Sequence, residues 1–123
     1  MATRATYRFI NNLMAPDVCV YIHWDGYPRG AAIYLEKALI HATDNKRTML
    51  ESFIAANESA EITSSHEAHG DTDYRYDIDA KLLTVTVWRR EGHWNNVTEE
   101  YTESWNHEVT TRLANFIGEE TAA

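Results

Sequence analysis

Cysteine, proline and long apolar runs are scarce in this chain. Of its 123 residues, one is cysteine and two are proline. A single cysteine, Cys19, excludes an internal disulfide framework and agrees with a reducing compartment. There is no apolar run of about 18 residues, as a membrane-spanning helix would need, and residues 1–9 lack the apolar core of a signal peptide. We therefore expect a cytoplasmic protein with no membrane partner.

Positive charge is also scarce. The chain has 11 Lys and Arg against 19 Asp and Glu, which leaves a net charge of -8. Binding along a nucleic-acid polymer needs a basic stripe, so this balance argues against such a partner. A single small phosphorylated ligand stays open, because two or three convergent arginines can hold one whatever the total charge.

Motifs of common enzyme classes are missing. The chain has no Gly-x-Ser-x-Gly elbow, phosphate loop or dinucleotide fingerprint. His66, His69 and Asp71 suggest a metal-dependent nucleotide hydrolase, but His-x-x-His at the end of a strand could ligate one metal only if the loop bends sharply. We favour solvated turn residues here, and we expect neither a metal nor a cofactor. Cys19 lies in an apolar strand, which favours a buried small side chain over a nucleophile.

The hydrophobic pattern predicts a single α+β domain. Residues 6–12 and 18–24 read as a β-hairpin, and Pro28 begins a helix that continues to about His41. A second helix, capped by Thr43 or Asp44, ends near Asn57. From Ala60 the period of two predicts four consecutive antiparallel strands, and residues 104–118 predict a final helix. The predicted order is ββααββββα, with the helices packed on one face of an antiparallel sheet.

Aromatic and arginine residues cluster late in the chain. Alternation along a strand places Trp88 and Arg90 on one face and Arg89 on the other. Planar aromatics stack on purine rings and guanidinium groups pair with phosphates, so Trp88, Arg90, Trp94 and Arg112 form a minimum nucleotide-binding set. The alternative is a cross-strand pair of Trp88 and Trp94, with the arginines as solvated surface charges.

The stretch "HWDGYPRG" holds more aromatic residues than a turn needs. Asp25 or Gly26 can cap a helix that starts at Pro28, and Gly30 allows a close approach to its first turn. Folding does not explain Trp24 and Tyr27. They would wall an anion site at the helix N-terminus or anchor a partner subunit.

This hexapeptide, His23 to Pro28, resembles a signature of small phage and prophage proteins. With "TYRFINN", "FIAAN" and "HGDTDYRYDID", the chain is similar to the Thoeris anti-defence sponge proteins. The resemblance implies a non-enzymatic protein that sequesters a cyclic adenine nucleotide signal, chiefly glycocyclic ADP-ribose, in the cytoplasm of an infected bacterial host. It also implies a homo-oligomer, a dimer or hexamer, in which residues 1–123 form one ligand-sequestering domain.

The resemblance further implies roles for individual residues. Arg112, on the predicted last helix, matches a phosphate-binding arginine, Trp88 or Trp94 a stacking residue, and Arg90 or Arg29 a second charge. No arginine ends the second helix, where "AANES" stands. The assembly motif comprises His23, Trp24, Asp25, Gly26, Tyr27, Pro28 and Gly30. A further alternative is an inhibitor that presses the acidic residues Glu99, Glu100 and Glu103 onto a basic host protein.

Overall fold

The chain folds as an α+β domain, as the hydrophobic pattern predicted. The computed structural model describes residues 3–13, 15–45 and 47–122. In chain order the elements are β1 (Ala5–Ile10), β2 (Val18–Ile22), α1 (Pro28–Asn45), α2 (Met49–Ala56), β3 (Glu61–Thr63), a 3-10 turn (His66–Ala68), β4 (Tyr74–Asp79), β5 (Thr84–Asn95), β6 (Glu100–Arg112) and α3 (Leu113–Thr121). None of the described helices is both long and apolar enough to cross a membrane.

The six strands form one mixed sheet in the order β3-β2-β1-β4-β5-β6. The predicted hairpin of β1 and β2 is present, but the predicted antiparallel meander of four strands is wrong. β3 pairs with β2, and β4 lies parallel to β1, with Tyr7 beside Tyr76. Alternation along a strand says which face each side chain takes but not which strand lies beside it. The short 3-10 turn between β3 and β4 was also absent from the predicted order.

The C-terminal region forms a longer hairpin than predicted. β5 continues through Glu91 and Gly92 to Asn95, and the chain reverses at residues 96–99, where Glu99 has a φ of 54°. Residues 104–112, predicted as helix, belong to β6 because Val109 and its β-branched neighbours pair with the matching residues of β5. The final helix therefore begins at Leu113.

The two earlier helices also differ from the prediction in their bounds. α1 continues past His41 to Asn45. α2 is capped by Thr48, whose hydroxyl accepts the Glu51 N–H at 3.2 Å, and not by Thr43 or Asp44. Its predicted end at Asn57 is confirmed, since Asn57 is the C-cap residue.

The core lies between the helices and one face of the sheet. Tyr7 stacks on Tyr76 with ring centroids 4.9 Å apart, and Phe53 of α2 packs against Tyr7 at the same separation. These aromatic rings join aliphatic residues of β2, β5, α1 and α3 in one buried cluster. Cys19 is buried as predicted, but it points away from this core and towards His66 on the other face of the sheet. The three α-helices thus cover one face of the sheet, and the other face carries the short 3-10 turn but no α-helix.

The junction between β2 and α1 explains the small residues of "HWDGYPRG". The Gly26 N–H donates to Thr3, and its carbonyl accepts the Tyr76 hydroxyl at 2.6 Å. The first turn of α1 closes when the Ala31 N–H donates to the Tyr27 carbonyl, so the helix starts at Pro28 and the expected cap at Asp25 or Gly26 is wrong. Asp25 instead turns the chain with a φ of 55°.

Gly30 is required by the same junction. A Cβ atom at Gly30 would fall on the Asp25 carbonyl oxygen, whereas a Cβ at Gly118 of α3 would meet open space. We expect Gly30→Ala to lower the free energy of unfolding by about 1–3 kcal/mol, since the junction must shift to relieve the overlap. Gly118→Ala, the matched control, should raise it by about 0.4–1 kcal/mol.

Chemical denaturation of both variants measures these changes. Equal stability of the Gly30→Ala variant and the unmodified protein would contradict the assigned packing of α1 on Asp25.

Candidate ligand-binding site on the helix-free sheet face

One face of the sheet carries no α-helix, and we call it the helix-free face. Its side chains alternate with the core residues along each strand. They include Thr6 and Arg8 of β1, Cys19 and Tyr21 of β2, Arg75 and Asp77 of β4, Trp88 and Arg90 of β5, and Trp105 and His107 of β6. A register shift between β5 and β6 at Val87 and Trp88 brings Trp88 opposite His107, with ring centroids 5.3 Å apart.

A hydrogen-bonded chain crosses this face. The Thr6 hydroxyl lies 2.6 Å from Nδ1 of His66, and Nε2 of His66 lies 2.8 Å from Oδ1 of Asp77. The Trp88 indole N–H donates to Oδ2 of the same carboxylate at 3.2 Å. Because an ionised carboxylate can only accept, Nε2 of His66 carries the hydrogen of that bond. The chain ties the 3-10 turn to β1, β4 and β5.

The order hydroxyl, imidazole, carboxylate matches that of a serine hydrolase triad. Thr6 is fully buried, however, so a substrate carbonyl has no path to its hydroxyl. Cys19 lies 3.9 Å from His66, but burial and the nearby Asp77 carboxylate raise its pKa to about 11, which keeps the thiol protonated at neutral pH. A nucleophile needs access and, for cysteine, the thiolate. Both side chains therefore fit a structural role.

The Asp77 carboxylate is the acceptor on which this chain depends. Partial burial raises the pKa of Asp77. The hydrogen bond and charge of His66, together with the Trp88 N–H, lower it by more, so the pKa lies below its ordinary value. A carboxylate with a depressed pKa in the folded state stabilises that state as long as it is ionised.

Beside this row of hydrogen bonds lies a cleft of about 250 Å³ lined by His66, Arg75, Asp77, Trp88 and Trp105. The Arg75 guanidinium lies over the Trp105 ring, 3.9 Å from its centroid. Its Nε atom is buried and has no hydrogen-bond partner among the described residues. Burial lowers the pKa of Arg75, and the Glu67 carboxylate opposes that shift from 3.8 Å. The cleft thus combines aromatic surface with a poorly paired cation.

Arg90 lies at the edge of the same face. It pairs with Asp73 at 3.0 Å and with Glu103 at 3.7 Å, and it is the cross-strand partner of Trp105. Trp88 and Arg90 therefore share one face, as alternation predicted, and Arg89 lies on the other, paired with Glu108.

The remaining candidates of the predicted nucleotide set lie apart from this cleft in the single chain. Trp94 is six residues beyond Trp88, about 20 Å along β5, and pairs with Tyr101. The alternative of a Trp88 and Trp94 cross-strand pair is therefore wrong. Arg112 is opposite Thr84 at the far end of the sheet, and it precedes α3 instead of lying on it. Arg29 is exposed in the first turn of α1.

The three residues of the metal hypothesis each contact different partners. Nε2 of His66 bonds to Asp77, while His69 stacks on Tyr21 at 3.8 Å and bonds to Thr63. Asp71 accepts the Tyr21 hydroxyl at 3.0 Å. Within the described part of the chain, no three His, Cys, Asp or Glu side chains are grouped to hold a metal ion. The hydrolase alternative thus has no support from this geometry.

The aromatic residues of the opening motif face solvent. Trp24 is 59% exposed and Tyr27 42% exposed, although the backbone around them is tightly bonded. His23 pairs with Glu61 of β3 at 3.3 Å. The two exposed rings contribute little to the fold of a single chain and are available to a partner.

Arg75 and Trp105 are absent from the predicted set. The alternation of "YRYDID" does place Arg75 and Asp77 opposite the apolar residues, and this was a usable signal. Trp105 could not be found in this way because its segment was read as a helix, which changes the face that each side chain takes.

No protein-family model, curated protein or solved structure matches the chain.

Replacing Asp77 with Asn should weaken the hydrogen-bonded chain. An amide of the same shape cannot accept from both His66 and Trp88 as a carboxylate does, so we expect a loss of about 1–3 kcal/mol in the free energy of unfolding at pH 7. Since the pKa of Asp77 is depressed in the folded protein, this contribution is present above the unfolded pKa and disappears as the pH falls through the folded value.

Urea unfolding between pH 7 and pH 2.5 tests this expectation. The gap between the variant and the unmodified protein should close at the acid end. Asp17→Asn, which removes an exposed carboxylate paired with Arg8 at 2.8 Å, serves as the control and should cost less than about 1 kcal/mol. A gap that stays constant with pH would contradict the role assigned to the Asp77 charge.

Proposed function

We propose that this protein binds and sequesters a cyclic adenine nucleotide without hydrolysing it, and that the ligand lies on the helix-free face. The observation that carries the proposal is the cleft in which Trp88, Trp105 and the Arg75 guanidinium come together. Aromatic faces stack on a purine, and guanidinium groups form charge-assisted bonds with phosphates. Arg90, the cross-strand partner of Trp105, supplies a second cation on the same face.

Sequestration suits this chemistry better than turnover does. Tight binding needs complementary surfaces, whereas catalysis needs groups that act on the transition state. The hydroxyl and thiol nearest His66 are buried, and the His66 ring already bonds on both sides. The residues of this face can thus hold a ligand but are poorly placed to attack one.

The class of ligand comes from the resemblance of His23 to Pro28 and the neighbouring stretches to the anti-defence sponge proteins. By that resemblance the ligand is a cyclic nucleotide immune signal, with glycocyclic ADP-ribose the first choice, and the protein is phage-encoded and acts in the host cytoplasm. The cleft of about 250 Å³ is smaller than a typical site for a drug-sized ligand. A second subunit that closes over the cleft would complete the enclosure.

A protein-binding inhibitor is the second candidate, and one observation favours it. Beyond Arg90 the β5 and β6 strands extend past the rest of the sheet as a two-stranded arm. Trp94 is 58%, Val97 92% and Tyr101 59% exposed on this arm, beside Glu99 and Glu100. Exposed aromatics within an acidic rim suit a protein contact.

Binding measurements separate the cleft from the rest of the predicted set. We expect Trp88→Ala and Arg90→Ala each to weaken binding of glycocyclic ADP-ribose roughly tenfold to a hundredfold, since each removes a stacking or charge-assisted contact. Arg89→Ala, adjacent in sequence but on the other face, is the matched control and should bind normally. Calorimetry gives the affinities, and mass spectrometry of ligand released by heating should recover the nucleotide intact.

Arg112→Ala tests whether a neighbouring subunit contributes a residue to the ligand site. A loss like that of Trp88→Ala, with the oligomer intact, places Arg112 of a neighbouring chain at the ligand. Normal affinity in both Trp88→Ala and Arg90→Ala would remove the cleft from the site. Absence of micromolar binding in the unmodified protein, or recovery of a hydrolysed product, would reject sequestration.

We also expect an oligomer with the exposed aromatics of the opening motif at its interface. Light scattering should show a mass well above the 14.2 kDa of one chain. Because the Trp24 side chain is exposed, Trp24→Ala should dissociate the oligomer. The separated chains should stay folded, with the thermal midpoint of a folded monomer.

Leu13→Ala is the control for this variant. Leu13 is 79% exposed in the turn between β1 and β2, at the opposite end of that hairpin from Trp24, and its loss should not change the mass. A monomeric unmodified protein at micromolar concentration would refute the expectation.

A further inference from the structure

Arg75 lies farther from a carboxylate than Arg4, Arg8 and Arg90 do. Arg4, Arg8 and Arg90 each have a carboxylate oxygen within 3.3 Å. The closest carboxylate to Arg75 is Glu67 at 3.8 Å, no hydrogen bond to its guanidinium joins it to any described residue, and its Nε atom is buried. At that separation the pair has charge attraction without a good hydrogen bond. Arg75 therefore retains its donors for another partner.

Arg75 is also the most enclosed of these cations. Its side chain is 17% exposed, against 28% for Arg90 and 46% for Arg8. One face of its guanidinium is covered by the Trp105 ring, so the free donors point along the plane of the group. A desolvated guanidinium with unused donors is an efficient receptor for a phosphate or carboxylate, which it binds through two parallel hydrogen bonds.

Glu67 has an exposed carboxylate on a turn that is held at its base. Its side chain is 73% exposed, and its neighbour in the 3-10 turn, His66, is held by Thr6 and Asp77. The turn keeps the Glu67 carboxylate near Arg75, where a hydrogen bond from its own backbone N–H, the nearby Arg75 charge and a hydrogen bond from Ser65 hold its pKa below the ordinary value. Release of the carboxylate from Arg75 costs little packing, because most of the side chain is in solvent. Glu67 thus has the position of a counter-ion that an incoming anion can replace.

We propose that Arg75 is the anion-binding group of the cleft and that Glu67 is an internal competitor, displaced when the phosphate of a ligand binds. This inference rests on the proposed function for the identity of the ligand, but the competition between two anions for Arg75 applies to any phosphorylated ligand of suitable size. It assigns the phosphate of the bound molecule to Arg75 and its ring to the Trp88 side of the cleft. Arg90, which pairs with Asp73, remains the second cation of the face and has no competitor of this kind in the 3-10 turn.

The test compares Glu67→Gln with Glu103→Gln. Both variants remove one acidic charge, and both carboxylates lie at almost the same distance from an arginine, 3.8 Å for Glu67 to Arg75 and 3.7 Å for Glu103 to Arg90. Without its competitor, Arg75 should bind glycocyclic ADP-ribose roughly two- to fivefold more tightly, the range expected for loss of a screened ion pair. Glu103→Gln should raise the affinity clearly less than Glu67→Gln does, because Arg90 keeps its closer partner, Asp73, and the Glu103 charge acts on Arg75 only from beyond ion-pair distance.

Two substitutions of Arg75 complete the experiment. Arg75→Gln should weaken binding at least tenfold and abolish the gain from Glu67→Gln in the double variant. Arg75→Lys keeps the charge but not the paired donors, so its affinity should lie between that of the unmodified protein and that of Arg75→Gln. Thermal unfolding of each variant shows whether the fold persists. Because the double variant is compared with Arg75→Gln alone, a common loss of stability cancels.

A second probe, sodium pyrophosphate, separates this inference from the proposed function. If the nucleotide does not bind but pyrophosphate binds more tightly to Glu67→Gln than to the unmodified protein, the sponge function fails and the anion site stands. If the nucleotide binds but Glu67→Gln has unchanged affinity, the competition is refuted and the sponge function stands. If neither probe binds, both are refuted. Equal gains in Glu67→Gln and Glu103→Gln would show a general effect of net charge and refute the specific competition.

Discussion

The parallel pairing of β1 with β4 is the constraint on which the rest of this structure depends. It places Tyr7 beside Tyr76 on the helix side, where the two rings stack 4.9 Å apart. On the other side it brings Thr6 and Asp77 close enough for His66 to bond to both. Because a parallel pair needs a crossover connection, the chain passes through β2, α1, α2 and β3 between these two strands. One pairing therefore organises both the core and the helix-free face.

The two faces of the sheet use their aromatic residues differently. On the helix side Tyr7, Phe9, Phe53 and Tyr76 are fully buried and stabilise the fold through contact with one another. On the helix-free face Trp88 and Trp105 are partly exposed and contact charged groups, Asp77 and Arg75. Planar side chains that lie open beside a desolvated cation are suited to a ligand with a ring and a phosphate. This division favours binding on the helix-free face over a purely structural role for its tryptophans.

Local patterns predicted those features that depend on neighbouring residues. The α+β class, the first hairpin, the burial of Cys19, the start of α1 and the shared face of Trp88 and Arg90 all follow from periodicity over a few residues. The end of α2 at Asn57 was also predicted. The last segment failed because Trp105, Val109 and Leu113 fit a helical spacing, while the actual outcome was set by pairing with β5 across the hairpin. Strand formation there depends on residues some twenty positions earlier.

The sequence by itself determined which residue types were at hand. It shows an acidic chain with two tryptophans and two arginines around residues 88–94, and an aromatic motif whose small residues form a tight junction. Tertiary structure alone decided which of these groups meet. It separated Trp94, Arg112 and Arg29 from Trp88 in the single chain, and it added Arg75, Trp105 and Glu67. The physical reason is that strand order and register bring together side chains distant in sequence, and the period of two along each strand carries no information about its neighbour.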